Sequence, residues 1–398
     1  MVFDTIEQAI VALKHGKIII VVDDENRENE GDFLMVAEKV TTESINFMTK
    51  YGRGIVCVPT TAERLKKLDI HPMVVKNSDP KKTAFTVSVD CISNATGVSA
   101  KDRADTIKCL VSDNATSKSF TKPGHIFPLI SRQGGVLVRE GHTEAAVDLA
   151  KLAGFKPVGV VCEIMNEDGS MARVKDLEKI KRKHNLLLIT IADLIKYRKQ
   201  HESFVERVTS AKMPTKFGEF TIHGYINTLN SEHHVALVKG DIKGKEPVLV
   251  RVHSECLTGD ALGSIRCDCG SQYYEAMKRI AKEGRGVLVY MRQEGRGIGL
   301  INKLKAYNLQ DQGLDTVDAN LKLGFPAELR EYSISAQILK DLGLSKIKLM
   351  TNNPKKVSGL CDYGLKITKR VPLEAGFNKN NLSYLTTKKQ RMGHILHL

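Results

Sequence analysis

Apolar and polar positions change their spacing along the chain, and each change marks an element. Short apolar runs bounded by polar turns predict buried strands. The first half has IIIVV (18–22), GIVCVP (54–59) and VGVVCEIM (158–165). A helical period predicts helices at 5–14 and at HTEAAVDLAKLAG (142–154), the second stopped by its glycine. NEDGSMAR reads as a turn, and DLEKIKRKHN as a charged helix leading into LLLITIADLIKYRK. From residue 196 to about 215, KYRKQHESFVERVTSAKMPT is basic and polar with no sustained period, which predicts a linker or crossover with a boundary near Glu202. A second strand-rich stretch follows: GEFTIHGYINT, VALVKG, VLVRVH, GVLVYM and IKLMT, with helices expected at 273–281, 298–307 and 335–342. No internal repeat is visible. The expected architecture is two domains, 1–201 and 202–398. Each is α+β or mixed α/β, with a mixed β-sheet and packed helices.

Composition narrows the class. A chain of 398 residues suits two or three domains, each able to bury a core without disulfides. With 42% hydrophobic and 27% charged residues, it is neither disordered nor fibrous. No apolar run approaches the roughly 18–20 residues of a membrane helix. MVFDTIEQAI has an early acid and lacks the basic start and apolar core of a signal peptide. The chain is therefore expected in a reducing cytoplasm, where the eight cysteines read as thiols or metal ligands before disulfides. The formal charge of +14 suits nucleic acid, anionic lipid or phosphorylated substrates. Absence of Trp, 6% aromatics and no Arg-rich tract disfavour a nucleic-acid-binding protein against a phosphate-handling enzyme.

DDENRENEGD (23–32) carries six carboxylates in ten residues, plus Arg27. Such crowding calls for a cation or a basic substrate, and hard oxygen ligands suit Mg²⁺; a solvated acidic turn is the plain alternative. FTKPGHIFPL places His125 after Pro-Gly, where a tight turn would project it. GGVLVREGHTEA places Arg139, His142 and Thr143 where a loop becomes a helix, a natural phosphate seat. These segments, with FTVSVD, SAKDRADTI and VVCEIMNEDGSMAR, resemble 3,4-dihydroxy-2-butanone 4-phosphate synthase over about residues 1–200. The resemblance implies conversion of ribulose 5-phosphate to the dihydroxybutanone phosphate and formate, with Mg²⁺ or Mn²⁺ on Glu28 and His142. It implies that Arg27, Glu28, Asp32, Arg139, Glu140, Gly141, His142, Thr143 and Glu163 bind the sugar phosphate. His125 and Glu163 would be catalytic, and Cys57 matches a family cysteine near the site.

RVHSECLTGDALGSIRCDCGSQ puts three of the eight cysteines, Cys256, Cys267 and Cys269, within fourteen residues. Cys267 and Cys269 are poorly spaced for a disulfide, and thiolates converging on Zn²⁺ explain the pattern better. Three ligands suggest a catalytic ion with a water of pKa about 7 at its open position; His253 as a fourth would make the site structural. YMRQEGRGIGL is a Gly-rich loop between strand and helix, able to cradle phosphate, and LMTNNPKK is a strand end with two lysines. With AYNLQDQGLDTVDAN and SISAQIL, these segments resemble GTP cyclohydrolase II over about residues 205–398. The resemblance implies opening of the guanine imidazole of GTP, with loss of formate and pyrophosphate. Cys256, Cys267 and Cys269 would hold Zn²⁺. Arg251, Val252, His253, Ser254, Glu255, Gln272, Glu294, Gly295, Arg296, Thr316, Thr351 and Lys356 would contact GTP. Tyr307 would lie near C8 of the base, and Arg330 would be the nucleophile toward the α-phosphate or a charge that stabilises it.

One position departs from that pattern. The family usually has Asp, as proton acceptor, two residues before this arginine; here Glu328 precedes Leu329 and Arg330. Glu keeps the carboxylate and adds one methylene, and a misplacement of about 1 Å can cost on the order of a hundredfold in rate. Alternatively, Glu328 is a surface carboxylate at the start of the helix containing 335–342, acting only on the helix dipole. The expectation is a cytoplasmic, homodimeric, bifunctional enzyme of riboflavin synthesis. Its rivals are a chain whose synthase half alone is active, its second half only binding GTP or zinc, and a basic nucleic-acid-binding protein.

Overall fold

Runs such as Ile19–Val22 and Gly31–Val36 are buried at every position rather than every second one, as in a sheet covered on both faces. The computed structural model describes residues 3–244, 246–326, 328–330 and 332–397. The chain divides into two compact units between Arg198 and Lys199. Strands of the first unit are β1 Ile19–Val22, β2 Gly31–Val36, β3 Cys57–Thr60, β4 Val89–Cys91, β5 Phe120–Ile130, β6 Gly159–Glu163 and β7 Leu188–Thr190. They form one mixed sheet in the order β4-β5-β3-β6-β2-β1-β7. Phe33 and Met35 on one face pack with Ile45, Met48, Ile107 and Leu177 of the helices Thr42–Gly52, Ala100–Val111 and Val174–His184. Leu34 and Val36 face the other way, onto Leu13, Ala145 and Leu194 of Ile6–Lys14, His142–Leu152 and Ile191–His201. The first of these helices starts at a capping box, Thr5 with Gln8.

Two expectations are corrected. The Pro-Gly pair before His125 forms no turn, because the segment is the long strand β5. Its register against β4 jumps from Asp90↔Thr121 to Val89↔Ile126, so residues 122–125 bulge from the ladder. Gly124 permits this by lying on the β4 backbone, where an added Cβ would meet Val89 C at 2.1 Å. The expected linker is likewise ordered structure: the end of Ile191–His201, then an eleven-residue strand, β8 Val205–Thr215. β8 is an exposed sheet edge held by backbone pairing to its neighbour, so its side chains follow no apolar period.

The second unit continues with β9 Gly218–Asn227, β10 His233–Lys239, β11 Val248–Ser254, β12 Gly286–Met291, β13 Lys346–Met350 and β14 Lys366–Val371. The order is β14-β13-β11-β12-β10-β9-β8, with β8 to β10 antiparallel and β11 to β14 parallel. The expected helices are Cys269–Glu283, Leu300–Asp311 and Ser333–Asp341. Ala276, Met277 and Ile280 of the first pack on Leu249 and Leu288. β11 lies between β12 and β13, so the crossovers leave it in opposite directions and open a crevice at the carboxyl ends of the strands.

The first sheet depends on a close helix approach at Gly159. A Cβ there would meet Ala146 Cβ at 2.7 Å and its carbonyl oxygen at 3.1 Å. Gly159→Ala is expected to destabilise the unit by about 1–3 kcal/mol by overpacking, seen as a lower melting temperature. An unchanged melt would show that helix His142–Leu152 moves off the sheet freely.

Candidate active sites

The end of β1, the start of β2 and the end of β6 meet at one end of the first sheet. The acidic loop between β1 and β2 folds around Asp23. Its carboxylate accepts the backbone N–H groups of Glu28 (3.1 Å) and Glu30 (2.9 Å) and Arg27 Nη1 (2.8 Å). Arg27 also reaches Glu28 at 2.7 Å, so much of the crowded charge is offset within the loop. Ligand atoms of Asp23, Glu28 and His142 lie within 4.8 Å of one another. His142 is the first residue of its helix, and its Nε2 is 3.1 Å from the Val21 carbonyl oxygen. A carbonyl only accepts, so Nε2 carries the proton and Nδ1 keeps a lone pair for a cation. Burial lowers the imidazole pKa and favours that neutral form. One imidazole nitrogen and a few carboxylates suit a hard divalent ion that keeps waters for substrate.

The other expected residues belong to the same sheet and the segments that connect its strands. Asp32 and Glu163 are cross-strand partners. Burial, then the charge of Glu163, raises the Asp32 pKa well above the usual carboxylate range. Glu163 accepts the Ile55 N–H at 2.8 Å. His125 Nδ1 is 2.7 Å from Asp90, which leaves Nε2 to exchange protons. Arg139 is held by protein groups, with Glu144 at 2.6 Å and Lys81 O and Thr83 Oγ1 at 3.1 Å. It ties residues 81–83 to the helix start, where Gly141 and Thr143 are buried and Glu140 is exposed. Cys57 is buried, and its thiol pKa is raised by burial and by Glu163 and Asp32.

In the second unit, β11 runs into the cysteine segment, β12 into the Gly-rich loop and β13 into Thr351-Asn352-Asn353. All three border one cleft of about 1100 Å³. The Cys256 and Cys267 sulfurs are 3.6 Å apart, and all three thiols of Cys256, Cys267 and Cys269 lie within 4.8 Å. Tetrahedral Zn–S bonds of about 2.3 Å place sulfurs about 3.8 Å apart, so the set fits zinc. Hydrogen bonds from Cys267 and Cys269, and the ammonium of Lys303, hold the Cys256 pKa well below the thiol range. His253 does not join them: its Nε2 faces Asp260 at 3.0 Å, and its ring stacks on Tyr290.

Cations dominate the cleft wall. Arg251, Arg266, Arg296, Arg330, Lys303, Lys356 and Lys388 all line it. Gly295 and Arg296 both have left-handed backbone, φ 62° and 63°, which bends the loop. Arg296 Nη2 donates to Thr316 Oγ1 at 3.3 Å, and Arg251 Nη2 to Gln272 at 2.7 Å. Arg251 Nε and Arg296 Nη1 are buried without a partner, as donors awaiting a polar ligand would be. Lys356 donates to the Val252 carbonyl at 2.8 Å; burial, then Arg251 and Arg330, lowers its pKa well below the ordinary lysine value. Ser254, Glu255, Glu294 and Thr351 border the cleft, whereas the Val252 side chain points into the core. The Tyr307 hydroxyl is 3.2 Å from Thr258 Oγ1, with Arg266 over its ring at 4.6 Å. Glu328 is no surface carboxylate: both its oxygens meet the Arg330 guanidinium, with Nε at 2.7 Å. Burial opposes it, but the Glu328 hydrogen bond keeps the Arg330 pKa above its ordinary value.

Sequence reasoning missed Lys303, Asp268, Tyr384, Lys388 and His394. Lys303 lies three residues before buried Ala306 on one helix face, while nearby Lys305 is exposed. Tyr384 and Lys388 come from the helix Leu382–Met392, whose apolar period is weak, and His394 follows it.

Comparison with known proteins assigns a family to each unit. Residues 7–197 match the 3,4-dihydroxy-2-butanone 4-phosphate synthase family, and residues 206–372 match GTP cyclohydrolase II. The chain thus joins a lyase to a hydrolase. Riboflavin biosynthesis protein RibBA of Bacillus cytotoxicus is 58% identical over 396 residues, covering all of both chains, and that of Bacillus mycoides is equally similar. The crystal structure of RibBX, a two domain 3,4-dihydroxy-2-butanone 4-phosphate synthase from A. baumannii, matches at TM-score 0.68 and 36% identity. The match covers 92% of this chain and 99% of that one. The chain belongs to the RibBA family and is a bifunctional enzyme of riboflavin biosynthesis.

Lys388 and Asp268 form a buried ion pair at 2.7 Å, and Asp268 also accepts from Gln272. Lys388→Met leaves that carboxylate uncompensated and is expected to destabilise by about 3–5 kcal/mol. Thermal melting checks this, and a shift within error would mean that Gln272 alone suffices.

Proposed function

We propose that residues 1–201 convert D-ribulose 5-phosphate to 3,4-dihydroxy-2-butanone 4-phosphate and formate, using Mg²⁺ or Mn²⁺. Residues 202–398 use Zn²⁺ to open GTP to 2,5-diamino-6-ribosylamino-4(3H)-pyrimidinone 5′-phosphate, formate and pyrophosphate. The enzyme works in the cytoplasm as a homodimer. One observation carries this reading: two separate donor sets, one of oxygen and nitrogen and one of sulfur, gather at the ends of two sheets. Among the described residues, no helix is long and apolar enough to cross a membrane.

In the synthase unit, an ion held by Glu28 and His142 supplies charge against enediolate oxygens. His125, oriented by Asp90, moves protons at Nε2. Asp32, pushed toward its neutral form by burial and by Glu163, contacts substrate oxygens while neighbouring Glu163 accepts protons. Arg27 and the free N–H groups near Thr143 receive the phosphate.

In the cyclohydrolase unit, zinc on the three thiolates supplies Lewis acidity toward water. Arg251 and Arg296 offset the triphosphate charge, Lys356 donates a hydrogen bond to it, and Gln272, Thr316 and Thr351 orient the nucleotide. Tyr307 stands beside the base carbon that leaves as formate. Arg330 stays protonated beside Glu328 and acts as a fixed charge on the α-phosphate rather than as a nucleophile. The reading in which this unit only binds GTP rests on the extra methylene of Glu328, yet that carboxylate reaches Arg330 with both oxygens.

Formate release assayed with each substrate alone tests the assignment. Glu28→Gln and His142→Ala are expected to abolish release from ribulose 5-phosphate and spare that from GTP. Cys269→Ser should remove zinc and GTP turnover together, because a serine hydroxyl stays protonated at neutral pH. A folded single variant that lost both activities would refute two independent sites. Glu328→Gln should lower kcat for GTP on the order of ten- to a hundredfold at constant zinc content, and an unchanged kcat would remove Glu328 from the mechanism.

A further inference from the structure

Lys303 is a buried cation beside the thiol group, and no step above uses it. Its ammonium is 3.1 Å from Cys256 Sγ, 2.9 Å from Thr258 Oγ1 and 2.8 Å from Glu294 Oε1. A lysine has three N–H donors, and here each has an acceptor. Only 8% of the residue is exposed, and its Nζ is 5.6 Å from the centre of the Tyr307 ring. An ion pair with Glu294 would account for one of these contacts. It does not account for an ammonium held against a sulfur that gathers with two others.

We propose that Lys303 is a positioning residue that offsets the surplus charge of the three-thiolate site through its hydrogen bond to Cys256. The inference rests on zinc binding by Cys256, Cys267 and Cys269, as proposed above. Three thiolates around a divalent ion leave one net negative charge, which weakens the ion's pull on a bound water. An ammonium bonded to one sulfur draws electron density away from the metal, and its charge is shared between that sulfur and Glu294. Glu294 and Thr258 keep that ammonium from swinging toward the substrate phosphates, so its charge stays with the sulfur. Groups of this kind next to metal ligands typically change affinity or activity by about 10–100-fold.

The test uses the full chain with Co²⁺ in place of Zn²⁺, because thiolate-to-cobalt charge-transfer absorption reports electron donation by sulfur. In Lys303→Met the Cys256 sulfur becomes a stronger donor, so the band should move to longer wavelength. Formate release from GTP by the zinc enzyme should fall about 10–100-fold, while release from ribulose 5-phosphate is retained. Lys303→Arg, which keeps the charge, should hold the band closer to the wild-type position. A band unmoved in Lys303→Met overturns the inference, even if the rate falls, because the lysine would then serve packing alone. If Lys303→Met does not fold, Lys303→Gln decides: it keeps a polar side chain among Thr258 and Glu294 while removing the charge, and an unmoved band again overturns the proposal. A wild-type chain with no thiolate-to-cobalt band would instead refute the zinc site itself, so the two failures are distinguishable.

Discussion

In a sheet covered on both faces, backbone groups are paired with neighbouring strands and side chains are packed into apolar layers. Free donors and polar side chains then occur only where strands end. Most of the site segments follow that constraint, although His125 lies within β5, Arg251 within β11, and edge strand β8 is polar along its length. The acidic loop leaves β1 and enters β2, Glu163 ends β6, and His142 starts the helix whose Nε2 leans on the β1 backbone. In the second unit, β11, β12 and β13 each release one chemical segment at the carboxyl end, around the point where the crossovers diverge. The rigidity of each sheet fixes the distances among groups that are far apart in sequence.

The two units manage buried charge in opposite ways. The first concentrates acids and restrains them internally: Asp23 is satisfied by two backbone N–H groups and Arg27, and Asp32 is pushed toward its neutral form. What remains is a small oxygen and nitrogen donor set fit for a hard cation. The second concentrates cations and leaves some unsatisfied, as at Arg251 Nε and Arg296 Nη1. Unpaired buried donors are costly, and a polyanionic ligand would resolve that cost. The +14 balance of the whole chain therefore conceals an acidic pocket and a basic one.

Most strands of this fold are legible because uninterrupted apolar runs can only be buried on two sides. Elements stabilised by something other than an apolar period are not. β8 depends on backbone pairing to β9, and its polar surface reads as a linker. The bulge at residues 122–125 depends on how Gly124 meets β4, which Pro-Gly read locally turns into a false bend. The helix Leu382–Met392 is recruited by the buried Lys388–Asp268 pair across 120 positions of sequence.

By itself the sequence determined the chemical types present and their local grouping: crowded carboxylates in one loop, a histidine at a helix start, three cysteines within fourteen residues, and a Gly-rich loop after a strand. Those are short-range facts, set by residue identity and spacing. Tertiary structure alone decided which member of each group is free to act. It turned His253 toward Asp260 and away from the thiols, engaged Arg139 with Glu144, and placed both Glu328 oxygens on Arg330. It also chose Lys303 over Lys305 to meet Cys256. The reason is physical: hydrogen bonds and charge interactions act over a few ångströms, and only the packed chain brings those partners within reach.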